Sequence, residues 1–556
     1  MLKKFLFILS EKNRAKLIFY FVLSLIFVGI ETSILVIIYP LIDVFLGLQQ
    51  LDQNKVFNLL SDYTYIKNFN NLITFSIILI IIRVIYFLVF NWIKYSYLNQ
   101  LQKDLALRIF NHFHARTYLQ ITKSSSAAFI RDISSETTTF KKFCDTYINL
   151  VIELLIASFI SIFLFIVSPQ VFTYLIIFLL FFASIYFLII LKVLRLLGKK
   201  RVIINKKIIK VVSESYKFFE FIKLNKISKL FSFDLKNEFY KLVNLNRNFQ
   251  IIKLIPKLFI ETTLFLGFMM IFLIQIKNVG FEINMSIAGI FLVSFLRLFP
   301  SVSKILLSIQ DLNLFKFSIE NIYNQVTLSS IDKDYNDRPE KKINFENTIE
   351  IKDLNFSYEE KEVLKKIHLK IQKNTFNAII GKSGSGKSSF IKIFMGLLKP
   401  SKIDFKIDGK NLDIYKNNDW QTKIGYASQN SLILNQSLKR NITMSDENTI
   451  DDEKLKDSFF NAGLNTFLNF EKNIDDELNE SGSNFSGGQL QRVSLARALY
   501  FSKGVLILDE ICSALDIESE KKIIMTLKKL SKTYTIIYIT HRNNFHEYFD
   551  NIIEIQ

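Results

Sequence analysis

Hydrophobic and polar positions are arranged differently in the two halves of this chain. Over roughly the first three hundred residues, apolar runs of about 20 residues or more, the length a helix needs to cross a bilayer, alternate with long basic stretches of helical period. Six runs can be drawn, at about Leu17–Phe45, Leu72–Tyr97, 148–167, 171–192, 254–276 and 285–308. Only Ser168-Pro169-Gln170 separates the third from the fourth, which predicts a tight turn, and Pro300 predicts a kink in the sixth. The roughly fifty to sixty residues between the second and third runs, and between the fourth and fifth, keep helical periodicity and predict long arms outside the membrane. Met1–Lys16 carries lysines and an apolar patch but no small-residue cleavage site, so it reads as a cytoplasmic or interfacial helix and not as a signal peptide.

After Gln325 the pattern changes. A polar segment with Asp332, Lys333, Asp334, Asp337 and Glu340 around Pro339 leads into strand-length apolar runs alternating with helical stretches, the mark of an α/β domain. The expected organisation is a polytopic α-helical membrane domain over 1–320, a linker over 321–346 and an α/β domain over 347–556.

Composition supports that division: half of the 556 residues are hydrophobic, concentrated in the first part. The net charge of +19 could suggest nucleic acid, but its placement argues for a bilayer. Lys94, Lys103, Arg108, Arg116, Lys123, Arg131, Lys141 and Lys142 crowd 94–142, and 192–257 is similarly basic, whereas 46–70 holds only Lys55 and Lys67, and 277–284 only Lys277. By the positive-inside rule both termini, and with them the second domain, lie in the cytoplasm of a multi-pass protein of the cytoplasmic membrane. Cys144 and Cys512 fall in no metal or redox spacing.

The chemistry sits in the second domain. Gly381-Lys-Ser-Gly-Ser-Gly-Lys-Ser388 fits the phosphate-binding pattern in which backbone N–H groups of a glycine loop cradle phosphates, the lysine reaches the β- and γ-phosphates and the hydroxyl ligates Mg²⁺. It follows the apolar run Phe376–Ile380 and precedes helix-forming residues, so a helix N-terminus adds its own donors. Gly381, Ser383, Gly384, Gly386, Lys387, Ser388 and Ser389 are the candidate nucleotide contacts, for ATP with Mg²⁺. Val505–Leu508 reads as a buried strand ending in Asp509-Glu510; paired with the loop, Asp509 becomes the metal carboxylate, and Glu510 orients or deprotonates the attacking water.

Phe485-Ser-Gly-Gly-Gln489, followed by Leu490-Gln491-Arg492, resembles the signature of the ATP-binding-cassette family, and six spans with two long internal loops resemble its exporters. The resemblance implies further roles. Tyr358 stacks on adenine, Gln429 touches Mg²⁺ or water and senses the membrane domain, and His541 contacts the γ-phosphate. Ser513-Ala-Leu-Asp516 resembles the loop that crosses the dimer interface. Ser486, Gly487, Gly488 and Gln489 contact the nucleotide of the opposite subunit, so two copies of the chain form two composite sites. Short coupling helices that dock on the ATPase domains are expected near 121–130 and 213–222. The fold class implied is a polytopic α-helical membrane domain of exporter type followed by an α/β P-loop ATPase domain. Phe485 stands where the family has leucine, and Ile511-Cys512 where it has Ala-Thr; the short end at Gln556 lacks a tail many relatives carry.

Glu31, Arg83, Glu153, Glu261 and Arg297 lie within the apolar runs, where charge is costly unless paired or wetted. Opposite charges could pair within the bundle; alternatively Arg83 and Arg297 meet an anionic substrate such as a lipid pyrophosphate. Met1–Ser10, Ile30-Glu-Thr32, Arg297–Ser301 and the external segment 46–70 are similar to the lipid-linked oligosaccharide flippases of bacterial N-glycosylation. The expected function is therefore ATP-driven flipping of an amphipathic, lipid-linked saccharide. Peptide or multidrug export is the alternative, and an ATP-gated channel or regulatory membrane protein a third reading.

Overall fold

A computed structural model describes the chain apart from residues 1, 46–68, 168, 278–284, 328–341, 360, 383, 446–448, 480–484, 513–515, 543–544 and 556, and within helices it leaves out the side chains of 2, 35, 38–45, 69, 127, 167, 256, 257, 259, 260, 263–297 and 416 and most of those of 170–195. The external segment 46–70 thus lies almost wholly outside the described residues, as do Ser383 and Ser513–Leu515. The chain divides into two compact units. One comprises Met1–Arg116 and Lys123–Ile331, the other Thr117–Thr122 and Asp332–Gln556.

The first unit is helical. Its long helices are Glu11–Phe45, Phe69–His114, Thr137–Val167, Pro169–Lys217, Ser228–Lys277 and Met285–Thr327, and each of the six apolar runs falls inside one of them. Among the described residues, three stretches are long and apolar enough to cross a membrane: Glu11–Ile34, Asn70–His114 and Ala128–Ile166. In Phe69–His114 the helix outlasts its apolar run because Leu98, Leu101, Leu105 and Ile109 recur on one face and are buried. Along Thr137–Val167 a single ridge of Ile148, Ile152, Ile156, Ile160 and Leu164, four residues apart, packs into the same core. Pro300 sits inside Met285–Thr327, which continues through it to Thr327. That helix runs past residue 320, where the sequence places the linker, because Ile319, Ile322 and Val326 are again spaced to bury one face.

Short elements interrupt the arms. Tyr118–Thr122 and Ser126–Arg131 are single helical turns over the first expected coupling region, and Asp132–Glu136 winds as a π-helix. Near the second region the arm runs to Lys217 and the short helix is Phe219–Asn225, a few residues later than expected. Lys226, in the left-handed conformation (φ 54°), ends it.

In the second unit the strands are β1 (Thr348–Tyr358), β2 (Lys361–Gln372), β3 (Phe376–Ile380), β4 (Lys402–Ile407), β5 (Lys410–Asn411), β6 (Ile424–Ala427), β7 (Val505–Asp509), β8 (Thr535–Ile539) and β9 (Asn551–Glu554). An antiparallel sheet has the order β2-β1-β4-β5; a parallel sheet has the order β6-β7-β8-β3-β9. Alternate residues of the parallel strands serve two cores, as the period of two requires. Val505, Ile507, Ile537 and Ile539 face the antiparallel sheet and the helix Lys387–Phe394. Leu506, Leu508, Ile536 and Tyr538 face the helix Gly487–Phe501 and its neighbours. Burial on both faces explains why these strands read as unbroken apolar runs.

Candidate nucleotide site

Every neighbouring pair in the second sheet is parallel, so β3, β6, β7 and β8 all end on one edge. The residues that follow them are Gly381, Gln429, Glu510 and His541, and the carboxyl ends of parallel strands are where α/β sheets bind ligands. Strand order thus gathers four sequence-distant motifs.

The glycine loop leaves β3 and enters the helix Lys387–Phe394 through Gly386 (φ 95°). Only glycine fits at two points. A Cβ on Gly381 would lie 2.3 Å from the Ile555 carbonyl oxygen, and one on Gly386 would lie 2.7 Å from Leu364 Cδ2. Lys387 is buried, and its Nζ donates to the carbonyls of Gly381 (2.7 Å) and Lys382 (2.9 Å) of its own loop. Ser388 is exposed on the first turn and Ser389 buried. Ser385 Oγ is buried without a hydrogen-bond partner among the described residues. The sequence reading did not select Ser385, although it occupies a variable position inside the motif. A cradle closed to a Cβ at Gly381 and Gly386, a buried ammonium, an orphaned hydroxyl and an exposed hydroxyl at a helix start fit a triphosphate and its Mg²⁺.

Asp509 is the last residue of β7, and Tyr426 Oη donates to its Oδ2 at 3.4 Å. Burial, and then the charge of Glu510, push the Asp509 carboxyl above its usual range, while Lys392 and Lys387 pull it back. Glu510 has φ 50°, a left-handed backbone costly for a side chain of this size and characteristic of functional sites. It is held by neighbours on both sides: Gln429 Nε2 donates to Oε2 at 2.7 Å, and His541 Nδ1 lies 3.4 Å from Oε1. Gln429, Glu510 and His541 therefore form one connected group.

Tyr358 ends β1, partly exposed, with its ring edge-on to Phe356 at 4.8 Å. Ser486 caps the helix Gly487–Phe501: its Oγ accepts from Gln489 N–H, and Gln489 Oε1 accepts from Ser486 N–H at 2.8 Å. The Gln489 side chain is thus engaged in the cap, while Gly487 and Gly488 open the first turn. That helix packs on β6. Three strand spacings, about 14 Å, separate β6 from the β3 that carries the phosphate loop.

The departures from the family pattern have packing reasons. Phe485 meets Phe467 edge-on at 6.2 Å. Ile511 and Cys512 are buried in the core beneath the helices, where burial pushes the Cys512 thiol up to about 12. Asp516 caps the helix Ile517–Leu530 by accepting from Ser519 N–H at 2.8 Å.

In the helical unit Arg83 forms an ion pair with Glu31 at 2.9 Å, and Glu153 one with Lys304 at 2.6 Å. Pairing within the bundle is therefore what Arg83 does here. Arg297 lies in Met285–Thr327, but its side chain is outside those described.

Residues 364–513 match the family model described as ABC transporter. An uncharacterized ABC transporter ATP-binding protein of Haemophilus influenzae is 35% identical over 196 residues, 35% of either chain. An ATP-dependent lipid A-core flippase of Vibrio cholerae and a putative multidrug export ATP-binding/permease protein of Staphylococcus aureus are each 33% identical over 210 residues, 37% of this chain and 36% of theirs. The match thus spans little more than a third of the length of these curated relatives. The structure of a bacterial Atm1-family ABC exporter with ATP bound superposes with a TM-score of 0.78 at 16% identity, covering 98% of this chain and 93% of that one. The C-terminal unit is thus an ABC transporter ATPase domain, and the chain as a whole has the fold of an ABC exporter.

Proposed function

We propose that two copies of this chain form an exporter that hydrolyses ATP to move an amphipathic substrate across the cytoplasmic membrane, with the ATPase domains in the cytoplasm. The observation that carries this reading is the convergence of Lys387, Gln429, Asp509, Glu510 and His541 on one sheet edge, in a chain that also holds long apolar helices. Lys387 and the loop Gly381–Ser389 would bind the phosphates, with Ser388, Gln429 and Asp509 holding Mg²⁺. The metal, when bound, neutralises charge developing on the transferred phosphoryl group. Glu510, steadied by Gln429 and His541, accepts a proton from the attacking water or orients it. Tyr358 would support the adenine, and Ser486, Gly487 and Gly488 the γ-phosphate of the partner. The three-strand separation between the signature helix and the phosphate loop supports such sharing.

A lipid-linked saccharide is the substrate we favour, with Arg297, and Arg83 when released from Glu31, as candidate contacts with its anionic head. The domain division at 1–320, 321–346 and 347–556 is proposed as membrane domain, linker and ATPase domain, with the helix Met285–Thr327 running into the linker. Phosphate release and nucleotide affinity in Glu510→Gln and Lys387→Ala test the assignment. Glu510→Gln should lose about 10²–10⁴-fold in turnover, the usual contribution of a general base, while still binding ATP. Lys387→Ala should bind ATP weakly. Near-normal turnover in Glu510→Gln would remove Glu510 from its role.

A further inference from the structure

Asp509 is held from a side that the nucleotide motifs do not include. In the parallel register Tyr426 pairs with Ile507, two residues before Asp509, so Tyr426, Ile507 and Asp509 share one face of the sheet. That face packs against the helix Lys387–Phe394. From β6 the Tyr426 hydroxyl reaches Asp509 Oδ2 at 3.4 Å, while its ring packs among apolar side chains of the core. A phenol hydroxyl facing a carboxylate oxygen donates to it.

We propose that Tyr426 is a positioning residue, whose hydroxyl holds one oxygen of Asp509 and so leaves the other oriented for the Mg²⁺ that accompanies ATP. This rests on the reading of the site as a Mg-ATP site, but it adds a residue that the phosphate loop and the acidic strand end do not contain. Tyr426 touches neither nucleotide nor metal; it acts only through Asp509. Because Mg²⁺ demands near-ideal octahedral geometry whereas Ca²⁺ accepts irregular oxygen ligation, loss of the hydroxyl should penalise Mg²⁺ more than Ca²⁺.

The test is Tyr426→Phe, which keeps the ring and removes one oxygen. Affinity of the full-length chain for a fluorescent ATP analogue is measured without divalent metal, with Mg²⁺ and with Ca²⁺, beside thermal melting. The expected result is unchanged metal-free binding, a three- to tenfold loss of Mg-nucleotide affinity, about what one hydrogen bond contributes, and a smaller loss with Ca²⁺. In an Asp509→Asn background the same substitution should have no further effect. Equal Mg-nucleotide affinity in Tyr426→Phe and the unaltered chain would overturn the proposal, as would an equal loss with and without metal accompanied by a lowered melting temperature, which would make Tyr426 a packing residue. If the unaltered chain bound the analogue in none of the three conditions, it is the nucleotide-site reading that would fail.

Discussion

At the scale of single residues, the glycine loop rests on short, local spacing, and a carbonyl and a leucine occupy the places where side chains at Gly381 and Gly386 would stand. Contacts between distant elements were not legible. The Tyr426–Asp509 bond needs β6 beside β7; the sequence offered pairing of opposite charges within the bundle, but which carboxylate takes Arg83 needs two particular helices in contact, which neither motif nor period encodes. Glu31 is 7% exposed and its partner arginine 40%. Arg83→Gln should therefore remove the ion pair from a buried carboxylate and lower stability by about 1–2 kcal/mol, less than the cost of breaking a fully buried pair. Adding Glu31→Gln should recover most of that loss, measured as melting temperature in detergent. Equal stability of Arg83→Gln and the unaltered chain would show that the pair holds nothing together.

Among elements, the helices and the alternation of strand and helix followed from hydrophobic period, while their ends followed from tertiary burial. Met285–Thr327 outlasts its apolar run through Ile319, Ile322 and Val326, and the arms end where short helices intervene. Thr117–Thr122 groups with the second unit: Tyr118 packs against its core, and Lys392 Nζ lies 5.0 Å from the Tyr118 ring centre. In the antiparallel sheet, Asp408-Gly409 makes the two-residue turn between β4 and β5, both with positive φ, as hairpin turns prefer. The Asp408 carboxylate also accepts from the N–H groups of Glu346 (2.7 Å), Asn347 (2.8 Å) and Thr348 (2.7 Å), anchoring the start of β1. Burial opposes its charge, yet these donors hold the carboxyl below its usual range. A depressed carboxyl contributes stability above its unfolded value of about 3.9, and that contribution disappears as pH falls through the lower folded value. Asp408→Asn tolerates the left-handed backbone, so it isolates the charge. It should cost about 1–2 kcal/mol at pH 7 and less at about pH 3, below the unfolded value, read as denaturant unfolding of the ATPase domain. A cost equal at both pH values would contradict the charge-based account.

For the whole molecule, one phosphate loop and one signature per chain, three strands apart, make the proposed unit a pair of chains. Mixing a Ser486→Arg subunit with a Lys387→Ala subunit should yield dimers in which one composite site carries neither lesion, so nucleotide trapping should reappear at up to one site per mixed dimer. Trapping by a chain shown to be monomeric would contradict shared sites.

ATP-driven translocation in proteoliposomes tests the central claim most directly, with a fluorescent lipid-linked saccharide as cargo and Glu510→Gln as the control. The unaltered chain should move the lipid between leaflets only with Mg-ATP, and Glu510→Gln should not. ATP hydrolysis without any net movement of this lipid, of a peptide or of another amphiphile, or equal movement by Glu510→Gln, would contradict an ATP-driven exporter.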